Sequence, residues 1–128
     1  MRLLLDTHVL IWFYLDDPQL NPLARSLIGD PANAIFVSPA SHWEVAIKIR
    51  TGNYILRVPF RDFIREAIVD NGFANLAIEP QHSEILTTLP LHHRDPFDRM
   101  LVAQAMAESM AIISADAQLD AYPVRRLW

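Results

Sequence analysis

Short apolar runs alternate with helix-length stretches along this chain, and two of the runs end against an aspartate. Arg2 to Leu5 leads straight into Asp6, and Ala111 to Ser114 is followed almost at once by Asp116. A run this short and this apolar reads as a strand buried on both faces. The pattern between the runs is helical. His8 to Leu15 forms the first such stretch. Asn21-Pro22 supplies a cap and a first-turn proline for a helix to Ile28, before Gly29. Ala34 to Val37 predicts a second strand, and Ser38-Pro39 opens a helix that carries Trp43, Glu44, Ala46 and Ile47 and stops at Gly52. Arg61 to Asp70, closed by Gly72, sets Phe63, Ile64, Ala67 and Ile68 on one face. Leu76 to Ile78 predicts a third strand and Gln81 to Leu89 a further helix. Polar His92-His93-Arg94 leads to Asp95-Pro96, the cap and first-turn pair of a long helix through Ser109, and Val124 to Leu127 predicts a last strand.

Strands that alternate with helices require right-handed crossovers, so the expected fold is α/β: a three-layer α/β/α sandwich around a central, mainly parallel sheet. The chain has 128 residues, no linker and no repeat, the size of a single domain over 1–128. Parallel sheets bind ligands beyond the carboxyl ends of their strands. Asp6 and Asp116 sit at two such ends, and Glu44 and Asp98 are expected in the first turns of helices reaching the same rim.

Composition narrows the chemistry. With no cysteine, disulfides, thiolate metal sites and a cysteine nucleophile are excluded. Glycine occurs only at Gly29, Gly52 and Gly72, so there is no phosphate loop or dinucleotide fingerprint. The apolar run from Leu3 to Leu15 is interrupted by Asp6 and His8, and no stretch has the ~20 uninterrupted apolar residues of a membrane helix. A soluble, cytoplasmic protein is expected. The net charge of −4 lacks the basic footprint of a generic nucleic-acid binder. Acids concentrated around a divalent ion would remove that objection, because the ion inverts the field a phosphate meets.

Asp6, Glu44, Asp98 and Asp116 come from four distant parts of the chain, and carboxylates gathered at one rim repel. A hard cation relieves the repulsion, and oxygen donors suit Mg2+ or Mn2+ better than zinc. Magnesium keeps waters and accepts phosphate oxygens, which points to a phosphodiester substrate. Each acid also has a plainer reading. Ser41-His42-Trp43-Glu44 matches a capping box. Asp98 sits where a helix dipole favours an acid, and Asp116 is placed to cap the segment toward Tyr122. Asp6 is harder to explain as a cap, since Thr7 is available for that job. The His92-His93 pair and His42 lack zinc-protease spacing and read as loop or solvated residues, and His8 reads as packed beside the first helix. Lys48, Arg50, Arg57, Arg61 and Arg65 form a loose basic cluster, either a solvated face or a contact surface.

Four segments together resemble the successive motifs of PIN domains: Leu3-Leu4-Leu5-Asp6-Thr7-His8, Ser38-Pro39-Ala40-Ser41-His42-Trp43-Glu44-Val45-Ala46-Ile47-Lys48, His93-Arg94-Asp95-Pro96-Phe97-Asp98-Arg99-Met100-Leu101 and Ile113-Ser114-Ala115-Asp116. The resemblance spans the chain in order and is strongest to the VapC-like branch, the ribonuclease toxins of type II toxin–antitoxin pairs. It implies a PIN-like sandwich whose acidic pocket binds Mg2+ or Mn2+. Asp6 and Asp98 are then the principal metal ligands, Glu44 and Asp116 complete the pocket directly or through water, and Thr7 and Ser114 orient carboxylates or waters. Asp95 is the alternative to Asp98. The implied activity is endoribonuclease cleavage by metal-activated water, the implied partners a small antitoxin and a second copy in a homodimer. A DNA-directed nuclease and a non-catalytic PIN-like interaction module are the alternatives; the latter would lack one or more of the acids, and all four are present.

Overall fold

The computed structural model describes residues 1–128. Strands β1 (Arg2–Leu5), β2 (Ala34–Val37), β3 (Ala74–Asn75), β4 (Ala111–Ile113) and β5 (Arg126–Leu127) form one sheet in the order β3-β2-β1-β4-β5. Every neighbouring pair is parallel, with Leu4 opposite Phe36 on one side and Ile112 on the other. Central β1 has Leu3, Leu4 and Leu5 wholly buried, as a strand covered on both faces must.

Alternation along the strands divides the core in two. Leu3, Leu5, Ile35, Val37 and Ile113 pack with Val9 and Leu10 of α1 (Thr7–Leu15), Ala24 and Ile28 of α2 (Pro22–Gly29), Val45 of α3 (Pro39–Arg50) and Phe63 of α4 (Phe60–Ile64). Leu4 and Ile112 point the other way, toward Leu101, Val102 and Ala105 of α6 (Pro96–Glu108), Leu119 and Tyr122. Helix α5 (Pro80–Leu86) lies against α6 on that side. The molecule is therefore the α/β sandwich expected from the alternation of elements.

The departures from expectation are local and have physical causes. The third strand falls on Ala74–Asn75 and not on Leu76 to Ile78. Leu76 still donates to Val37 O at 2.9 Å, but its carbonyl turns away to accept Gln104 Nε2 at 3.0 Å and its side chain enters the α6-side core, which ends the ladder. Helix α4 continues as a wider π turn over Arg65–Val69, closed by Asn71, whose amide donates to Ala67 O at 3.0 Å. Helix α3 is capped by Ser38, whose Oγ accepts from Ala40 N at 3.1 Å. Ser41 to Glu44 is thus no capping box, and Glu44 lies beyond the first turn. The cap of α1 is Asp6, with Thr7 already inside the helix, the reverse of the sequence reading.

Candidate metal centre

Asp6 stands where β1 stops and α1 starts. Its N–H continues the ladder to Ile113 O at 3.1 Å. Its Oδ1 accepts the N–H of His8 at 2.9 Å, and its Oδ2 accepts the Ser114 hydroxyl at 2.5 Å. Ser114 Oγ in turn accepts the N–H of Asp116 at 3.0 Å, so one hydroxyl ties together the ends of two adjacent strands. Burial alone would raise the Asp6 carboxyl, but the bonds from His8 and Ser114 outweigh it and hold it below the ordinary carboxylate range. The imidazole of His8, with Nδ1 at 3.8 Å from Asp6 Oδ1, is drawn upward by that carboxylate.

On the other wall the start of α6 separates two aspartates. Asp95 turns its Oδ1 into the helix, accepting from Phe97 N at 2.8 Å and Asp98 N at 3.2 Å. Asp98, one turn on, is released to face the cleft. Burial, followed by the charges of Asp6 and Asp95, pushes the Asp98 carboxyl up to about 7, with Glu44 adding to the push and His93 opposing it. Asp116 accepts Gln118 N through Oδ1 at 2.9 Å, capping the 3-10 turn Ala117–Ala121, while its Oδ2 lies 2.7 Å from His93 Nε2. The same Nε2 is 3.3 Å from Asp98 Oδ2. One ligand atom from each of His93, Asp98 and Asp116 lies within 4.8 Å of the others. Asp6, Asp98 and Asp116 share a cleft of about 320 Å³ with His8, Trp12 and Ala115.

Glu44 is placed differently. It is buried but absent from that lining; its Oε2 meets Lys48 Nζ at 2.9 Å and its Oε1 has no partner. Thr7 donates its hydroxyl to Ser41 Oγ at 3.0 Å, tying α1 to α3 and leaving nothing for a carboxylate. The basic cluster is partly consumed internally: Lys48 by Glu44, and Arg65 by Asp62 at 3.1 Å and Glu66 at 3.6 Å.

The residues present suit a divalent ion. A carboxyl pushed up to about 7 by burial and neighbouring acids, in a fold that also buries a Glu44 carboxylate oxygen without a partner, is what a site looks like when its acids outnumber its cations. The donors are oxygens with one imidazole nearby, a set for a hard or borderline ion. Two histidines differ from the sequence expectation: His8 is not packed away beside the first helix, and His93, in a loop as expected, is not solvated. His8 has 58% of its side chain exposed at the cleft, and His93 bridges two of the acids. Nothing in the spacing of His93 signals this; only its place just ahead of Asp95 and Asp98 hints at it.

Comparison with known proteins agrees with this fold. The family model described as PIN domain matches residues 3–124. The chain belongs to the PIN domain family. A search of curated proteins gave no match. Among solved structures, VapBC2 from Rickettsia felis bound to a DNA fragment from its promoter aligns with a TM-score of 0.68 at 13% identity, covering 99% of this chain and 98% of that one. FitAB bound to an IR36 DNA fragment gives 0.67 at 18%, covering 98% and 93%. VapBC-1 from nontypeable Haemophilus influenzae gives 0.66 at 17%, covering 99% and 97%. No helix of this protein is long and apolar enough to cross a membrane.

Proposed function

We propose that this protein is a divalent-metal-dependent endoribonuclease, the toxin of a VapBC-type toxin–antitoxin pair, acting as a single PIN domain over residues 1–128. The observation that carries the reading is the convergence of Asp6, Asp98 and Asp116 on one cleft at the carboxyl rim of a parallel sheet. Asp98 and Asp116 would hold Mg2+ or Mn2+ from the helix and loop side, Asp6 from the strand side, and Glu44 through water. Such an ion, when bound by these residues, would supply Lewis-acid charge to a phosphodiester and lower the pKa of a water. The chain's own part is to fix the carboxylates: Ser114 and the N–H of His8 orient Asp6, and the cap made by Asp95 leaves Asp98 free to turn into the cleft.

The family membership and the VapBC complexes among its structural neighbours support a protein partner of the antitoxin kind. Exposed Trp43, Ile47 and Ile55 are apolar surface that an antitoxin or a second copy in a homodimer would cover. The test is cleavage of structured and unpaired RNAs, beside single-stranded DNA, by partner-free protein with and without Mg2+ or Mn2+. Metal-dependent RNA cleavage is expected. Asp98→Asn should lower its rate by about 10²-fold or more, the scale of losing a group that stabilises transition-state charge, and Asp95→Asn by far less. Cleavage of DNA alone would transfer the activity to the DNA reading, and folded protein that cuts neither would leave an interaction module.

A further inference from the structure

His93 is held at both ring nitrogens. Its Nδ1 accepts the backbone N–H of Asp95 at 3.1 Å, so the lone pair is on Nδ1 and the ring proton of the neutral imidazole is on Nε2. That Nε2–H faces Asp116 Oδ2 at 2.7 Å and Asp98 Oδ2 at 3.3 Å, both acceptors when ionised. The surrounding loop leaves the ring little freedom. His93 N donates to Tyr122 Oη at 2.9 Å, Tyr122 Oη donates to Pro90 O at 2.8 Å, and Arg99 donates to Leu89 O at 2.9 Å and Pro90 O at 2.8 Å. Flipping the ring would set a C–H against the Asp95 N–H and forfeit that bond.

A nitrogen that binds a metal must offer its lone pair. Coordination through Nε2 would move the proton to Nδ1, where it would confront the Asp95 N–H donor at the start of α6, the turn that presents Asp98. Proximity to the carboxylate oxygens therefore does not make His93 a ligand. We propose that His93 is a positioning residue that stays outside the ion's shell, its Nε2–H holding the carboxylates of Asp116 and Asp98 in the orientation a divalent ion requires. The inference rests on the metal-nuclease reading above. Partners of this kind set both the orientation and the basicity of the ligands they touch.

Two substitutions separate the two ends of the ring. Gln in H93Q places an amide N–H where Nε2–H stands but cannot serve the Asp95 N–H. Asn in H93N keeps an acceptor near Nδ1 and loses the distal donor. Mn2+ binding is measured by titration, and pulsed electron paramagnetic resonance of the Mn2+-loaded wild type reads whether a nitrogen is bonded to the ion. The expected result is no directly bonded nitrogen, H93Q binding within about threefold of wild type, and H93N weaker by roughly 10–100-fold. A strong nitrogen coupling that both variants abolish would make His93 a ligand and overturn the proposal. Wild-type affinity in H93N with loss in H93Q would reduce His93 to a strut for α6 and overturn it equally. The spectrum of the wild type decides even if a variant fails to fold. Wild-type protein that binds no Mn2+ would defeat the metal reading itself, a failure distinct from nitrogen coordination.

Discussion

The two walls of the cleft hold their carboxylates in opposite ways. On the strand wall Asp6 is more deeply buried than Asp98, with 6% of its side chain exposed against 17%, yet it is the one held below the ordinary carboxylate range. Its two oxygens each receive a short hydrogen bond, from the His8 N–H and the Ser114 hydroxyl, and the protonatable ring of His8 stands beside it. On the helix wall Asp98 accepts no hydrogen bond from the backbone of α6, because Asp95 takes the capping N–H groups, and its near neighbours are mostly carboxylates. Burial depth is thus the wrong guide to ionisation here. What decides is how well donors were built around the carboxylate: Asp6 has two close ones, whereas Asp98 has only the His93 Nε2–H at 3.3 Å, which it shares with Asp116, and the rest of that place is left for something supplied from outside the chain.

The largest effect that would break this comparison is in the pH dependence of stability of the metal-free protein. The Asp98 carboxyl is raised from 3.8 to about 7 in the folded state, so between those values the native protein binds a proton that the unfolded chain does not. Stability should therefore fall as pH rises from about 4 through about 7 and stay low above it. The full shift corresponds to an upper limit of roughly 4 kcal/mol, at 1.36 kcal/mol for each unit. Urea unfolding at pH 5.5 and pH 8 captures about half of it, at most roughly 2 kcal/mol, as a change in midpoint with unchanged slope. Asp98→Asn should remove most of it and leave a protein more stable than wild type at pH 8. A wild-type midpoint that is flat across this window would mean that Asp98 is ionised without help, and the contrast between the walls would disappear.

Asp6→Asn should move stability in the opposite direction. From sequence alone, relief of repulsion among the gathered acids predicts that Asp6→Asn stabilises the metal-free fold. The structure assigns that gain to Asp98 and withholds it from Asp6. Asn keeps an acceptor for the His8 N–H but loses the charge that strengthens both bonds, at a cost of about 2 kcal/mol near neutral pH. The linkage has the opposite sign as well: a carboxyl held low contributes stability above its unfolded value of 3.8 and loses it as pH falls through its folded value. The wild-type protein should thus show two separate pH windows, the acidic one removed by Asp6→Asn. Stabilisation by Asp6→Asn at pH 7 would show the two walls to be alike.

What could be read in advance from the residues follows the same division. The sheet and its rim were legible because strands as apolar as Leu3-Leu4-Leu5 and Ala111-Ile112-Ile113 leave little choice of partner layer, and the acids that follow them must lie at the carboxyl ends. Asp95 as cap was legible from the Asp-Pro pair. The environment of each acid was read less well. The Asp6 cap on His8 N and the i,i+4 pair of Glu44 with Lys48 are local features that sequence reasoning passed over, whereas that Thr7 is spent on Ser41 depends on how α1 and α3 meet, which no local pattern encodes. His93 was missed for a related reason: its neighbours Asp116 and Tyr122 are more than twenty residues away in sequence, and a loop histidine carries no periodicity to betray them.

The smallest effect expected sharpens the strand wall specifically. Ser114 donates to Asp6 Oδ2 and accepts from Asp116 N, so Ser114→Ala removes one charge-assisted bond and orphans one backbone N–H within the same cleft. The cavity left by a single hydroxyl is slight, and the stability cost should be about 1–2 kcal/mol. More informative is the carboxyl it releases. With the Ser114 bond gone, burial regains weight at Asp6 and its carboxyl should rise, which carbon NMR of the side chain would record as a titration at higher pH. The Asp98 titration should hardly move, because Ser114 does not touch it. If Ser114→Ala shifted both carboxyls together, the two walls would be one coupled unit, and the separate treatment of strand-side and helix-side acids would have to be abandoned.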